Sequence, residues 1–287
     1  MLEVGDIRIH LINDAYTYVD AGGPFGLVPR ALYHRYFQPD DDNLIPMTLH
    51  CLLVQAGGKN IIVDTGMGTK LDERRRQIWH LERRHGGLVD GLSRLDLRPE
   101  DIHLVIDTHL HTDHCGGNTH FAEDGTTVLP TFPEAEYVVQ RREYEDAIRP
   151  NERTAATYFS INWDCLIENG QMRLLDGEVE LAPGVTGVPA PGHTPGHMAV
   201  RFESKGMHAV FVCDMASYAV HFERLGWMTA YDVEPLITLE TKRYWQQWTW
   251  QNEAVVIFPH DPTRPAGRLR QDEKGRFTLE PVAMAYV

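Results

Sequence analysis

Three histidines and an aspartate fall within six consecutive positions, His109-Leu-His111-Thr-Asp113-His114. The apolar run at 104–106 just before them reads as a strand, so alternation turns His109 and His111 to one side of an extended segment. Asp113 and His114 then point elsewhere, and such a set serves two neighbouring ions better than one. Imidazole nitrogen and carboxylate oxygen suit Zn²⁺, Fe or Mn²⁺, whereas a closed structural zinc site would call for thiolates. Two divalent ions a few ångströms apart lower the pKa of a shared water toward about 7 and polarise a carbonyl or phosphoryl oxygen. That chemistry needs no serine or cysteine nucleophile, and the chain contains no GxSxG motif. Cys115, next to His114, reads as a small packing residue.

A site of this kind must be gathered from several elements, and further candidates stand where other apolar runs end. Residues 185–190 lead into Pro191-Gly-His193-Thr-Pro-Gly-His197, residues 209–213 into Asp214, and residues 254–259 into His260 and Asp261. Residues 60–63 lead into Asp64, a candidate acceptor for the ring N–H of a ligating histidine. These runs read as strands whose C-terminal ends share one edge, where α/β proteins collect their sites. Further strands are read at 7–12, 52–54 and 137–139. Helices are read at 71–84, in the second half of 134–148, from a start at Leu97-Arg-Pro99-Glu-Asp101, and at 236–252. In the last of these Tyr244 and Trp248 are spaced to share a face, and with Trp245 and Trp250 they read as core packing or a dimer contact. Segment 20–46 is rich in Gly and Pro yet apolar. It reads as a lid or dimer arm whose Phe25, Leu27 and Val28 form an apolar wall for an acyl chain. His10, His34, His80, His85, His103 and His208 lack companions and read as surface or structural residues, whereas His221 is a candidate substrate contact.

Composition narrows the partners. Asp and Glu total 41 against 27 Lys and Arg, a formal net charge of −14, so polyanion coating and anionic membrane surfaces are disfavoured. The 287 residues are 43% hydrophobic, enough for a sizeable core, and they show no linker or repeat; residues 1–287 read as one α/β domain. Four cysteines without a CxxC pair argue against a disulfide scaffold. The first residues lack the basic and apolar regions of a secretory signal, and no apolar run approaches the ~18 residues of a membrane span. The reading is a soluble, cytoplasmic protein.

The HxHxDH stretch, the PGHTPGH stretch, Asp214 and His260 together resemble the metallo-β-lactamase superfamily, over the span from Asp64 to His260. The resemblance implies a four-layer αββα sandwich with a dinuclear metal centre at its open edge. By the same resemblance His109, His111 and His193 hold one ion, Asp113, His114 and His260 the other, and Asp214 bridges them, with His197 and Asp64 behind the ligands. Asp20-Ala-Gly-Gly-Pro-Phe-Gly-Leu-Val-Pro, Phe132-Pro-Glu-Ala-Glu-Tyr-Val-Val and Trp227-Met-Thr-Ala-Tyr-Asp-Val-Glu-Pro are similar to segments of quorum-quenching N-acyl-homoserine lactonases. This implies a lactone ester, foremost an N-acyl-homoserine lactone, opened by a metal-bridged hydroxide. An aryl ester or organophosphate triester is the alternative substrate, Zn the first choice of metal ahead of Fe, Mn or Co, and a homodimer the implied assembly. Those lactonases carry a tyrosine three residues after the bridging aspartate. Ser217 stands there in this chain, which leaves Tyr218 or His221 to meet the substrate, with Asp113 as the third candidate catalytic group.

Overall fold

Short β-branched runs with alternating burial build two seven-stranded sheets in the computed structural model, which describes residues 1–287. The first sheet runs in chain order through β1 (Leu2–Val4), β2 (Ile7–Asp20), β3 (Leu44–Ala56), β4 (Lys59–Val63), β5 (Leu104–Ile106), β6 (Glu136–Gln140) and β7 (Met172–Leu175). The second runs through β8 (Val179–Ala182), β9 (Val185–Pro189), β10 (Met198–Ser204), β11 (Met207–Phe211), β12 (Val255–Ile257), β13 (Ala266–Gln271) and β14 (Phe277–Pro281).

Period-two alternation explains the layering. Ile61 and Val63 of β4 and Leu104 and Ile106 of β5 share one apolar cluster with Ala209, Phe211, Val255 and Ile257 of the second sheet. Their neighbours Ile62 and Val105 face the other way, onto Leu88 and Leu92 of α1 (Leu88–Ser93). Across the molecule Val210 and Val256 face outward onto Phe222 of α2 (Ala219–Glu223) and Trp245 of α3 (Pro235–Gln251). Each sheet thus carries helices on its outer face, and the two sheets bury their inner faces against each other. This is the αββα sandwich that the resemblance implies.

Strand direction puts the chemistry on one edge. β4 and β5 are parallel, as are β11 and β12, while β9 regains the direction of β11 through the intervening antiparallel β10. The C-terminal ends of β4, β5, β9, β11 and β12 lead into Asp64, His109, His193, Asp214 and His260.

Several elements differ from their sequence reading. The helix expected at 71–84 is confined to Glu73–Ile78, with Asp72 capping the Arg75 N–H at 2.7 Å. It buries no residue; the chain turns at His80 (φ 46°) so that Trp79 and Leu81 can pack under the 20–46 segment. The helix start at Pro99 yields a single turn, Pro99–Asp101, because Ile102 leaves in extended conformation to reach full burial. β2 and β3 are 14 and 13 residues long, well beyond 7–12 and 52–54. A register shift between Asn13 and Tyr16 absorbs the polar pair that resembles a turn in sequence: Asn13 accepts from the Leu49 N–H and Asp14 from those of Met67 and Gly68. On α3 the buried face is Thr238, Lys242, Trp245 and Thr249, so Tyr244 stays exposed while Trp248 packs beside Trp245.

Segment 20–46 is packed rather than open. It forms two helical turns, Gly22–Phe25 and Arg30–Tyr33, and Phe25 stacks on Tyr33 at 4.5 Å within a cluster that includes Phe37, Tyr218 and Trp227. No helix is long and apolar enough to cross a membrane.

Candidate metal centre

The loop after β5 carries His109, then His111 at the N-cap of a single helical turn, Thr112–Cys115, which presents Asp113 and His114. Nitrogen atoms of His109, His111 and His193 all lie within 4.8 Å of one another, and so do donor atoms of Asp113, His114 and His260. Asp214 stands between these two sets. Its Oδ2 is 3.2 Å from His114 Nε2, 3.4 Å from His193 Nε2 and 3.8 Å from His109 Nε2, while its Oδ1 is 3.1 Å from His260 Nε2. All seven residues singled out in the sequence are therefore brought together, and all except Asp113 are buried.

Hydrogen bonds on the outer side of these rings orient them. His114 Nδ1 donates to Asp64 Oδ2 at 2.9 Å, His193 Nδ1 to Asp232 Oδ1 at 2.9 Å, and His260 Nδ1 to the Thr48 carbonyl at 2.7 Å. Each ring then turns a lone pair inward from Nε2. His114 Nε2 and His260 Nε2 face each other at 3.2 Å, and His109 Nε2 is buried without any partner. Lone pairs converging in this way, beside two carboxylates, fit divalent cations and little else. Burial, reinforced by the neighbouring imidazoles, holds the His109 and His111 pKa values well below the ordinary histidine range, which keeps them neutral and able to ligate.

The residues behind the ligands are equally specific. Asp64, held at φ 55°, accepts from the Thr108 N–H at 2.8 Å, from Thr108 Oγ1 at 2.9 Å and from His114. Thr108 Oγ1 in turn lies 3.1 Å from His109 Nδ1 and fixes that ring. His197 accepts the Asp214 N–H on Nε2 at 3.2 Å and donates from Nδ1 to the Ala190 carbonyl at 2.9 Å. Cys213 Sγ packs on this rear side, 3.4 Å from Asp64 Oδ2 and 3.5 Å from His114 Nδ1. Asp261, beside His260, caps the α2 end of the structure through the Ala219 N–H and does not join the cluster.

A cavity of about 100 Å³ opens over Asp113, Asp214, His111, His193 and His260, with apolar walls from Val19, Pro24, Met47 and Trp79 and polar ones from Ser217, Tyr218 and Tyr231. Of the residues read as substrate contacts, only Tyr218 lines it, and its hydroxyl donates to the Pro46 carbonyl at 3.2 Å. His221 lies outside, buried edge-on to Phe25 and Tyr218 at 5.4 and 5.6 Å, and burial and the nearby Lys242 push its pKa down to about 3. Phe25 is fully buried in the aromatic cluster. Leu27, fully exposed, and Val28 line a separate outer cleft. The apolar wall of the cavity comes instead from the adjacent Pro24 and from Val19 and Met47, because the helical turn at Gly22–Phe25 directs Phe25 inward.

Sequence reasoning missed four supports. Asp232 orients His193 and is itself held by Thr229 Oγ1 at 2.9 Å. Glu143, fully buried, accepts from the Leu110 N–H and Tyr158 hydroxyl, both at 3.0 Å, and from Thr194 Oγ1, joining the two histidine loops. Thr48 lends only a backbone carbonyl, which no side-chain pattern could reveal. Tyr231 lies in the quoted 227–235 stretch beside Asp232, and that stretch was the available signal for both.

Comparison with known proteins agrees with this geometry. An N-acyl homoserine lactonase of Bacillus sp is 28% identical over 237 residues, covering 78% of this chain and 85% of the relative. The structure of a probable metal-dependent hydrolase from Staphylococcus aureus, 28% identical, superposes with a TM-score of 0.87 over 99% of this chain and 100% of that one. A dizinc quorum-quenching lactonase, solved with an N-acylated L-homoserine product, shares the fold at a TM-score of 0.79 and 21% identity, covering 99% and 97% of the two chains. The Metallo-beta-lactamase superfamily model matches residues 46–228, a span that takes in every one of the seven converging residues except His260. With that match over most of its length, and its facing imidazole lone pairs as the chemical reason, the chain belongs to the metallo-β-lactamase superfamily and is a metal-dependent hydrolase.

Proposed function

We propose that the chain is a dinuclear hydrolase that opens a lactone ester, with an N-acyl-homoserine lactone as the first substrate and zinc as the first metal. The observation that carries this reading is Asp214, whose carboxylate lies within 3.1–3.8 Å of two imidazoles from each donor set. His109, His111 and His193 hold one ion, and Asp113, His114 and His260 the other. When bound, two such ions acidify a shared water toward a pKa of about 7 and polarise the ester carbonyl.

The chain's own residues do the rest. Asp64, Asp232, Thr108 and the Thr48 carbonyl fix the tautomer and tilt of four imidazoles, so no reorientation is needed during turnover. Val19, Pro24, Met47 and Trp79 keep the scissile bond in an apolar cavity, where charge interactions are stronger than in water. Asp113, the more exposed of the two carboxylates, faces that cavity, where it would take up the proton given up by the attacking water and pass it to the leaving alkoxide as the C–O bond breaks.

Metal-loaded protein assayed in parallel on acyl-homoserine lactones of varied chain length and on paraoxon tests the substrate. Strong lactone turnover is expected; strong triester turnover without lactone turnover would replace this reading by the organophosphate one. Asp232→Ala leaves His193 free to rotate and is expected to weaken metal retention by about 10- to 100-fold in competition with a chelator. Unchanged retention in that variant would remove Asp232 from the ligand support.

A further inference from the structure

Two tyrosines line the cavity over the proposed metal centre, and they differ in what their hydroxyls can still do. Tyr218 is fully buried and donates to the Pro46 carbonyl. Tyr231 is 46% exposed, and its hydroxyl forms no hydrogen bond within the chain. Its ring stands at a junction: it lines the cavity with Asp113 and Asp214, and also a side pocket with Arg153 and Thr154.

The backbone around Tyr231 is tied on both sides. The Ala230 N–H donates to the Gly23 carbonyl at 2.8 Å, and Arg153 Nη2 donates to the carbonyls of Ala230 and Asp232 at 2.7 and 2.8 Å. The 20–46 segment also makes room for the ring. A Cβ placed on Gly23 would fall 1.8 Å from Tyr231 Oη and 2.4 Å from Cζ, and its three nearest atoms all belong to Tyr231. A phenol titrates about three units above neutrality, so the hydroxyl is a donor at neutral pH.

We propose that Tyr231 is a specificity-determining residue: its hydroxyl, seated at the cavity mouth by Gly23, donates a hydrogen bond to a polar acceptor that the substrate carries outside the scissile ester. On the lactonase reading, on which this rests, that acceptor is the amide carbonyl of an acylated lactone. Its place at the rim, on the side-pocket border, makes the contact one of uniform binding, so it acts on KM and leaves kcat alone.

The test compares wild type, Tyr231→Phe and Gly23→Ala, all metal-loaded, on two lactones of equal length: one with an amide in its side chain, the other a plain alkyl γ-lactone. Tyr231→Phe removes only the donor. The three nearest atoms that the Gly23→Ala methyl meets all belong to the movable end of the Tyr231 side chain, so the substitution displaces that ring first. Both variants are expected to raise KM for the amide lactone roughly 3- to 10-fold, with kcat and the alkyl-lactone constants unchanged. Equal constants for variants and wild type on the amide lactone would overturn the assignment to Tyr231 while leaving the lactonase reading standing. A matching loss on both lactones would equally overturn it, because the contact would then lie on the common ring. Wild-type protein that turns over neither lactone would sink the lactonase reading, and the Tyr231 assignment with it.

Discussion

Asp214→Ala is expected to lose turnover and metal-induced stabilisation together. Asp214 is the carboxylate that lies within 3.1–3.8 Å of four different imidazoles, two from each donor set: His109 and His193, His114 and His260. Alanine removes the only group that both sets share, so neither set keeps its full charge complement. Transition-state stabilisation of several kcal/mol goes with the ions, and at about 1.4 kcal/mol per tenfold the fall in kcat/KM is on the order of 10³-fold or more. The fold should survive, because the Asp214 N–H still donates to His197 and the only side-chain donor left unpaired by the change is Ser217 Oγ. Wild type, by contrast, should gain about 2.7 kcal/mol on adding metal at a hundred times its Kd. A Tm that rises with metal in wild type but not in the variant, together with metal content measured on the purified proteins, checks both halves. Full activity with two equivalents of metal in Asp214→Ala would overturn the bridging role.

Glu143→Leu is the second large effect, and it acts without touching a ligand. The Glu143 carboxylate is the common acceptor for the Leu110 N–H in the first histidine loop and Thr194 Oγ1 in the second, with the Tyr158 hydroxyl as third donor. Leucine leaves three buried donors without partners at about 1–3 kcal/mol each, so a loss of roughly 3–9 kcal/mol is expected, read as a Tm lowered by about 10 °C or more. Both loops also lose their common tether, and a misplacement of about 1 Å at a reacting centre is worth on the order of 10²-fold in rate. Glu143→Gln separates charge from shape. Burial raises the Glu143 carboxyl pKa above its ordinary value, despite the donors that favour the charged form. A raised folded-state pKa means the stability contributed by the group is complete below the ordinary carboxyl range and declines as pH rises through the folded value. Glutamine has no such titration, so the fall in stability with rising pH should be smaller in Glu143→Gln than in wild type. Activity and Tm within error of wild type in Glu143→Leu would show that the two loops are held by other contacts.

Much of the centre was legible because its donors are local. His109, His111, Asp113 and His114 sit within six residues, and their strand-end setting is read directly from the apolar run at 104–106. His193, Asp214 and His260 were accessible for the same reason, each a few residues beyond a β-branched stretch. The layered sandwich was legible too, since Ile61, Ile62 and Val63 already alternate between the two faces that the structure buries. What misled was exposure. His221 is a near neighbour of Asp214 in sequence, yet the chain turns at Cys213 (φ 47°) and buries its imidazole among aromatic rings under the 20–46 segment, whereas Tyr218 lines the cavity with its hydroxyl turned to Pro46. Phe25 followed the same logic in reverse: an apolar residue on a Gly- and Pro-rich segment finds a better contact in Tyr33 than in a substrate.

The sequence by itself therefore determined the chemistry, because ligand type and spacing are local properties that a strand end converts directly into geometry. Only the tertiary structure decided which groups steady and select around that chemistry. Glu143 reaches Leu110 from 33 positions away, Asp232 reaches His193 from 39, and the Thr48 carbonyl reaches His260 from 212. Gly23 and Tyr231 meet only because two distant loops dock over the same cavity. Hydrogen bonds between segments so far apart in the chain carry no periodic signature; they exist once the two sheets have closed on their common core.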